Sequence, residues 1–150
     1  MTARTYSTRR YAIVNALVEK LKEINGSGSY VSNLNKNVFN KLKFYDEVTN
    51  FPSVCVTASN ETREYQGGGY RDRYLEIRMM IFVREENPLE VCEGILEDIE
   101  TVIEANGQLQ YVDKTGATQT THDIIVLSLS TDEGTLDPIS IGETSVRVHY

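Results

Sequence analysis

Alternation of apolar and polar positions predicts a long strand pair near the middle of the chain. The first strand follows Phe51-Pro52, because proline fixes its own backbone angle and pushes the preceding residue towards extended geometry. Apolar and polar residues then alternate over 53–59, and over 73–83 a second run places its apolar side chains on one face until residues 80–83. We therefore predict strands over 51–59 and 73–83, with the apolar end of the second strand covered on both faces.

The stretch between these strands, 60–72, is a candidate binding arm. It is longer than the two to five residues that close an ordinary hairpin, and it combines arginines and tyrosines with a triple-glycine tip. Ordering such a segment costs conformational entropy. The arm is therefore predicted to find a partner molecule that orders it.

A first amphipathic helix is predicted near the start of the chain. Ser7 or Thr8 can cap it, apolar residues recur every third or fourth position as far as Ile24, and Asn25-Gly26 ends it. Residues 1–6 are expected to be a flexible N-terminus.

A second helix is predicted from Asn87, which acts as the cap, to about Ala105. Pro88 suits the first helical position and Glu90 can reach back as in a capping box. Its predicted core stripe comprises Cys92, Ile95, Ile99, Val102 and Ile103. Another face carries an acidic stripe, with Asp98 nearby: Glu86, Glu90, Glu93, Glu97, Glu100 and Glu104.

The remaining elements predict an α+β fold. We expect a short polar edge strand over 37–43, a hairpin of 108–112 with 122–130 joined by a tip at 113–118, and a last strand over 143–150. Together these describe a mostly antiparallel sheet of four to five strands with a long β-hairpin arm and two helices packed on one face.

Size and charge limit the classes of function. A chain of 150 residues is expected to form one domain, 1–150, that buries about 70% of its unfolded surface. The net charge of −7 argues against non-specific binding of nucleic acid by the whole surface. Cys55 and Cys92 form no spacing motif and are expected to be reduced thiols. No signal peptide or membrane-spanning run is evident, which predicts a soluble protein that stays where it is made.

Residues capable of catalysis do not form a recognisable constellation. His122 and His149 lie at no zinc-ligand spacing, and the triple glycine lacks the Lys-Ser/Thr pair of a phosphate loop. The acidic residues of the loop 131–138 are more typical of a solvated loop than of a cation site. We therefore predict no cofactor and no metal, and an assembly or binding protein in place of an enzyme.

The order of parts resembles the tail terminator, or tail completion, proteins of long non-contractile-tailed bacteriophages. The resemblance covers about 7–150 and rests on the Phe-Pro-Ser-Val-Cys-Val strand opening at 51–56, the glycine-bearing hairpin, and the acidic helix. A Gly- and Pro-containing acidic loop at 130–138 and a final strand at 144–150 that ends in Tyr150 complete it.

This resemblance implies a small α+β subunit of a hexameric ring on the head-proximal end of the tail tube, assembled in the host cytoplasm. The ring would end tube polymerisation and provide the surface that joins the DNA-filled head. Implied partners are further copies of the chain, the major tail tube protein, a head-completion or neck protein and the tape measure protein. DNA would pass through without specific binding, and no membrane is involved.

Three groups of residues are candidates for these contacts. Arg9 and Arg10, in a helix first turn that disfavours positive charge, are either screened by solvent or paired with a neighbouring subunit. The stripe from Glu90 to Glu104 lines the channel or forms an outer solvated face. The candidate subunit or tube interface comprises Arg63, Tyr65, Gly67, Gly68, Gly69, Tyr70, Arg71 and Arg73.

Two other classes of function stay open at this level. One is a different component of the same particle, such as a neck, head–tail connector or tube-forming protein. The other is a small cytosolic enzyme whose site the sequence does not reveal.

Overall fold

A computed structural model of the chain describes residues 8–150, which form a five-stranded sheet with two helices on one face. The predicted α+β class is therefore confirmed. In chain order the elements are α1 (Arg9–Leu21), β1 (Val38–Phe39), β2 (Ser53–Tyr65), β3 (Arg71–Arg84), α2 (Pro88–Ala105), β4 (Gln110–Val112), β5 (Thr118–Thr120), β6 (Asp123–Thr131) and β7 (Ile139–His149).

The strands of the main sheet lie in the order β1-β2-β3-β7-β6. Every neighbouring pair is antiparallel except β1 and β2, which run parallel. Helix α2 packs on β3, β6 and β7, and α1 packs on β2 and on β4 of the separate β4–β5 pair. Both helices bury their apolar stripes in one core with that face of the sheet.

The central hairpin is longer than predicted. The ladder between β2 and β3 continues from Ser53↔Phe82 to Tyr65↔Arg71, with one bulge between Ala58 and Glu61. Residues 60–65 and 71–72 therefore belong to strands, and only Gln66–Tyr70 forms the turn. The prediction of a long loop over 60–72 was wrong. Both faces of this ribbon are largely exposed to solvent, so its sequence lacks the apolar alternation that marks a half-buried strand.

The two helices lie close to their predicted positions. Thr8 caps α1, with its Oγ1 accepting a hydrogen bond from the Tyr11 amide at 3.4 Å, while α1 ends at Leu21, before the predicted Ile24. Residues 1–6 and the alternative cap Ser7 lie outside the described residues. Pro88 starts α2 as predicted, but Asn87 makes no side-chain cap and its amide instead donates to Glu90 at 3.2 Å.

Two strand predictions need correction. A short strand lies at the sheet edge within 37–43 as predicted, but it is only β1, and it pairs parallel to β2 at Val54 and Cys55. The predicted hairpin of 108–112 with 122–130 does not form: β4 pairs with β5, and β6 pairs with β7. The reason is a tight turn at Asp113, whose carboxylate accepts from the amides of Thr115 and Ala117, together with the apolar face of β6, which belongs to the main core.

A small second cluster covers the opposite face at the apolar end of the central hairpin. Val48, Cys55 and Phe82 are buried there, and the Phe51 ring and Met80 pack against them. This confirms that the end of β3 is covered twice. No helix of the described residues is long and apolar enough to span a bilayer.

Asp98 ties the loop after α1 to helix α2. Its carboxylate, 1% exposed, accepts hydrogen bonds from the amides of Val31 at 3.0 Å and Ser32 at 2.7 Å, and also from the Ser32 hydroxyl. Asp98 thus belongs to the core and lies apart from the exposed acidic stripe.

We predict that Asp98→Ala lowers the free energy of unfolding by about 2–4 kcal/mol, because it leaves buried amide donors without an acceptor. The neighbouring Glu97→Ala, whose side chain is exposed, is the matched control and should change stability by at most about 0.5 kcal/mol. Urea unfolding at pH 7 measures both, and equal effects of the two substitutions would contradict this role of Asp98.

Candidate interaction surface

The outer part of the β2–β3 hairpin projects beyond the rest of the sheet. β3 pairs with β7 only from Tyr74 to Arg84, and Tyr74 stands opposite Thr62 and His149. From Arg63 to Arg73 the two strands of the ribbon pair only with each other, apart from one backbone hydrogen bond from Tyr150 to Arg73. We call this segment, 63–73, the arm, and it contains all eight residues predicted as a subunit or tube interface.

The tip of the arm presents aromatic side chains on a closed turn. Tyr65 and Tyr70 are 72% and 76% exposed, and the Arg71 guanidinium lies 5.6 Å from the centre of the Tyr65 ring. The Gln66 amide donates to the Tyr70 carbonyl at 2.7 Å. Gly68 and Gly69, at φ of 77° and 85°, supply the left-handed backbone that this turn requires.

The base of the arm is held by Glu61 and Tyr150. The Tyr150 hydroxyl donates to one carboxylate oxygen of Glu61, and Arg63 Nε donates to the other at 2.7 Å. The Tyr150 amide donates to the Arg73 carbonyl at 3.0 Å, and the Arg73 guanidinium lies 5.6 Å from the Tyr150 ring. These contacts join both strands of the arm to the last strand of the core.

The contact between Glu61 and Tyr150 changes the pKa of both side chains. Burial by itself raises the pKa of Glu61, but the hydrogen bonds from Tyr150 and Arg63, together with the positive charges of Arg63 and Arg10, outweigh it and lower that pKa. Burial, and then the carboxylate of Glu61, raise the pKa of Tyr150. Glu61 is therefore a charged acceptor at neutral pH, although its side chain is only 6% exposed.

A histidine stack lies on the other side of the base. His149 Nε2 is 3.0 Å from Asp72 Oδ1, and the His149 ring stacks on Tyr74 with 4.7 Å between ring centres. The His122 ring, one residue before β6, has its centre 4.7 Å from that of the His149 ring. The hydrogen bonds from His149 and Gln66 lower the pKa of Asp72. Among residues 8–150 no group of three or more metal-ligating side chains comes together.

The two predicted helix arginines have different surroundings. Arg10 donates to the Ser59 carbonyl at 2.7 Å, so its guanidinium binds β2 within the chain near the bulge. Arg9 lines a surface cavity with Arg73 and the turn 113–115. The position of Arg9 beside Arg73 connects it with the base of the arm.

The predicted acidic stripe lies along one exposed side of α2. Glu90, Glu93, Glu97 and Glu104 are exposed and Glu100 is half-buried. None of them forms an ion pair with another described side chain. The stripe is therefore a continuous, uncompensated negative surface.

The sequence predicted the arm but not the contacts that hold its base. The contact between Glu61 and Tyr150 and the histidine stack both join residues of different strands, and no spacing along the chain marks them. Tyr150 stood out only as part of the resemblance.

A projecting arm on a small α+β unit is typical of a structural subunit that acts by contact with other proteins. Comparison with known proteins makes this specific, because the chain belongs to the bacteriophage tail tube terminator protein family, whose model matches residues 7–150. It is 35% identical over 149 residues to the tail tube terminator protein p142 of Escherichia phage T5, which covers 94% of this chain and 92% of that protein.

The fold also has a solved counterpart. A chain of the virion of a native gene transfer agent particle superposes with a TM-score of 0.56 over 93% of this chain and 97% of that one, at 8% identity. This likeness concerns the fold alone. The family match confirms the resemblance stated from the sequence and places the protein in the tail of a phage particle.

We predict that Tyr150→Phe lowers the free energy of unfolding by about 1–2 kcal/mol at pH 7, because Glu61 loses a hydrogen bond to its charged form. A carboxyl group with a lowered pKa stabilises the fold above its ordinary pKa, and this contribution is lost as pH falls through the folded-state pKa. Urea unfolding from pH 7 to about pH 3 should therefore show a shallower acid loss in Tyr150→Phe.

The exposed Tyr70→Phe is the control for this substitution and should match the wild type across the same pH series. An acid dependence of Tyr150→Phe as steep as that of the wild type would contradict the coupling of Glu61 to Tyr150.

Proposed function

We propose that this protein caps the head-proximal end of the tail tube as a ring of identical subunits. The cap ends polymerisation of the tube and presents the surface that the DNA-filled head joins. The observation that carries the proposal is the arm, which projects from the sheet of a chain that belongs to the tail tube terminator family. We infer that it acts by docking and not by catalysis.

The arm has the chemistry of a docking element. Tyr65 and Tyr70 offer rigid aromatic area with a polar tip, which is enriched at the energetic centres of interfaces. The guanidinium groups of Arg63, Arg71 and Arg73 can bind carboxylates through two parallel hydrogen bonds. The contacts of Glu61 and Tyr150 hold the arm in one direction before it meets its partner, which reduces the entropy lost on binding.

A closed cap requires a particular kind of contact between subunits. In a ring each copy uses one surface to bind a different surface of the next copy, and the rotation between them must close. We propose a hexamer that contacts the major tail tube protein on one side and a head-completion or neck protein on the other, with the tape measure protein near the tube lumen. Family membership favours this reading over a tube-forming protein, which polymerises without closing.

The acidic stripe is a second candidate surface. We propose that it lines the DNA passage, where repulsion between its carboxylates and the phosphates lets the genome slide without binding. The alternative is an outer solvated rim. Reversal of Glu93, Glu97 and Glu100 to lysine separates the two positions, because DNA release should be retarded if the stripe lines the channel. A ring with the stripe on its outer rim would exclude the channel-lining position.

We predict that replacing the tip, residues 66–70, by a two-residue Asn-Gly turn abolishes capping while the fold survives. Asn-Gly closes a hairpin tightly, so the ladder below the tip is kept. A phage that lacks its terminator is supplied with the variant, and tail length and head joining are measured by electron microscopy. The expected result is overlong tubes without heads.

The matched control is the same shortening of the exposed β4–β5 turn, residues 113–117, which should leave capping intact. Circular dichroism and the melting temperature check the fold of both variants. Tails of normal length joined to heads in the variant without the 66–70 tip would remove the arm from the mechanism.

A further inference from the structure

Strand β6 lies at one edge of the sheet and no other strand among residues 8–150 pairs with its outer side. It is nine residues long. An edge strand of this length presents a row of backbone donors and acceptors that can template pairing with another chain. The structure therefore has an open site for strand addition away from the arm.

This edge has only part of the usual protection: its ladder with β7 is irregular at Leu127, between Val126 and Ser128, but its side chains do not oppose pairing. From Ile124 to Thr131 the strand has no charged residue and no proline, although lysine and proline commonly keep an edge strand from pairing with another chain. Ile125, Leu127 and Leu129 are 38%, 47% and 43% exposed. A long, uncharged edge with exposed apolar side chains is a predicted aggregation site unless assembly covers it.

The opposite edge of the same sheet is also open. β1 covers β2 only at Val54 and Cys55, so the outer side of β2 from Thr57 to Tyr65 has no strand partner in the described chain. Helix α1 reaches this edge with a single hydrogen bond, from Arg10 to the Ser59 carbonyl. This free stretch matches β6 in length and leads directly into the arm.

Strand direction decides how these two edges can meet. β2 and β7 run one way and β3 and β6 run the other, as the antiparallel pairings require. A rotation about a ring axis roughly along the strands preserves these directions. The β6 edge of one copy therefore meets the β2 edge of the next copy in antiparallel orientation, which forms the more stable type of ladder.

We propose that β6 of each subunit pairs with the free edge of β2, 57–65, of the neighbouring copy, and that this pairing builds the ring. The inference rests on the proposed function, because it names the subunit contact of that cap. The occupant is a second copy of this chain: with its Thr62 opposite Leu127, its exposed Tyr65 lies towards the start of β6 and supplies apolar area there. The pairing is heterologous, as a closed ring demands.

The short β1 is compatible with this pairing. Because β1 blocks the start of the β2 edge, the incoming strand is displaced towards the arm, and a stagger between strands is what closure of a sheet needs. A closed sheet has no edge left. Symmetric pairing of β6 with β6 would leave the β2 edges open and produce only a dimer.

Leu127→Lys tests the pairing, since a charge on the outer edge opposes strand addition. Native mass spectrometry of the wild type should give the ring, and Leu127→Lys should give loss of the ring and a mass of 17.0 kDa. The control is Leu136→Lys, a leucine of similar exposure, 46%, in a loop, which should keep the ring. A Leu127→Lys protein that folds and still forms rings overturns the pairing.

Cross-linking gives a second test that does not depend on a disruptive substitution. The native Cys55 and Cys92 are both fully buried, so single added cysteines can be addressed. A short bismaleimide should join Leu127→Cys to Thr62→Cys when the two variants are mixed. Efficient joining of Leu127→Cys to itself alone, or no joining in the mixture, overturns the proposal.

These outcomes are separable from failure of the proposed function. If the wild type restores normal tail length but Leu127→Lys rings persist, the cap stands and this contact is wrong. If the wild type neither forms rings nor restores tail length, the cap itself is wrong, and the pairing falls with it.

Discussion

The backbone ladder between β2 and β3 is the constraint on which the rest of the structure depends. Its inner half, near Val56 and Met79, is buried between α1, α2 and the small cluster on the opposite face. Its outer half leaves the sheet and stands in water. One continuous hairpin thus passes from the centre of the core to an exposed, projecting surface.

An isolated two-stranded ribbon is marginally stable in water. The arm therefore depends on what holds its base, and here the contacts of Tyr150 with Glu61 and Arg73 couple it to β7. Because Glu61 is charged and almost fully covered, this coupling is sensitive to the loss of either partner. The same contacts therefore contribute to the stability of the core and set the direction of the arm.

The sequence predicts those elements whose side chains face a dry core. The stripe of α2 and the inner halves of β2 and β3 show the expected periodicity, because burial on one side selects apolar residues at regular spacing. Residues 60–65 escaped assignment as strand since both faces are wet there. The turn at Asp113 was predicted in place, but which strands it joins depends on where β6 packs in the core. The contact between Tyr150 and Glu61 joins residues distant in the chain and so leaves no local pattern.

The contacts at its base give the isolated chain a preformed arm, and amide hydrogen exchange of that chain measures this directly. The account predicts slowed exchange for the cross-strand amides of the arm between Arg63 and Arg73, and faster exchange there in Tyr150→Phe. Exchange of these amides at the rate of an unstructured peptide in the wild-type protein would contradict the claim that the hairpin is built before its partner arrives.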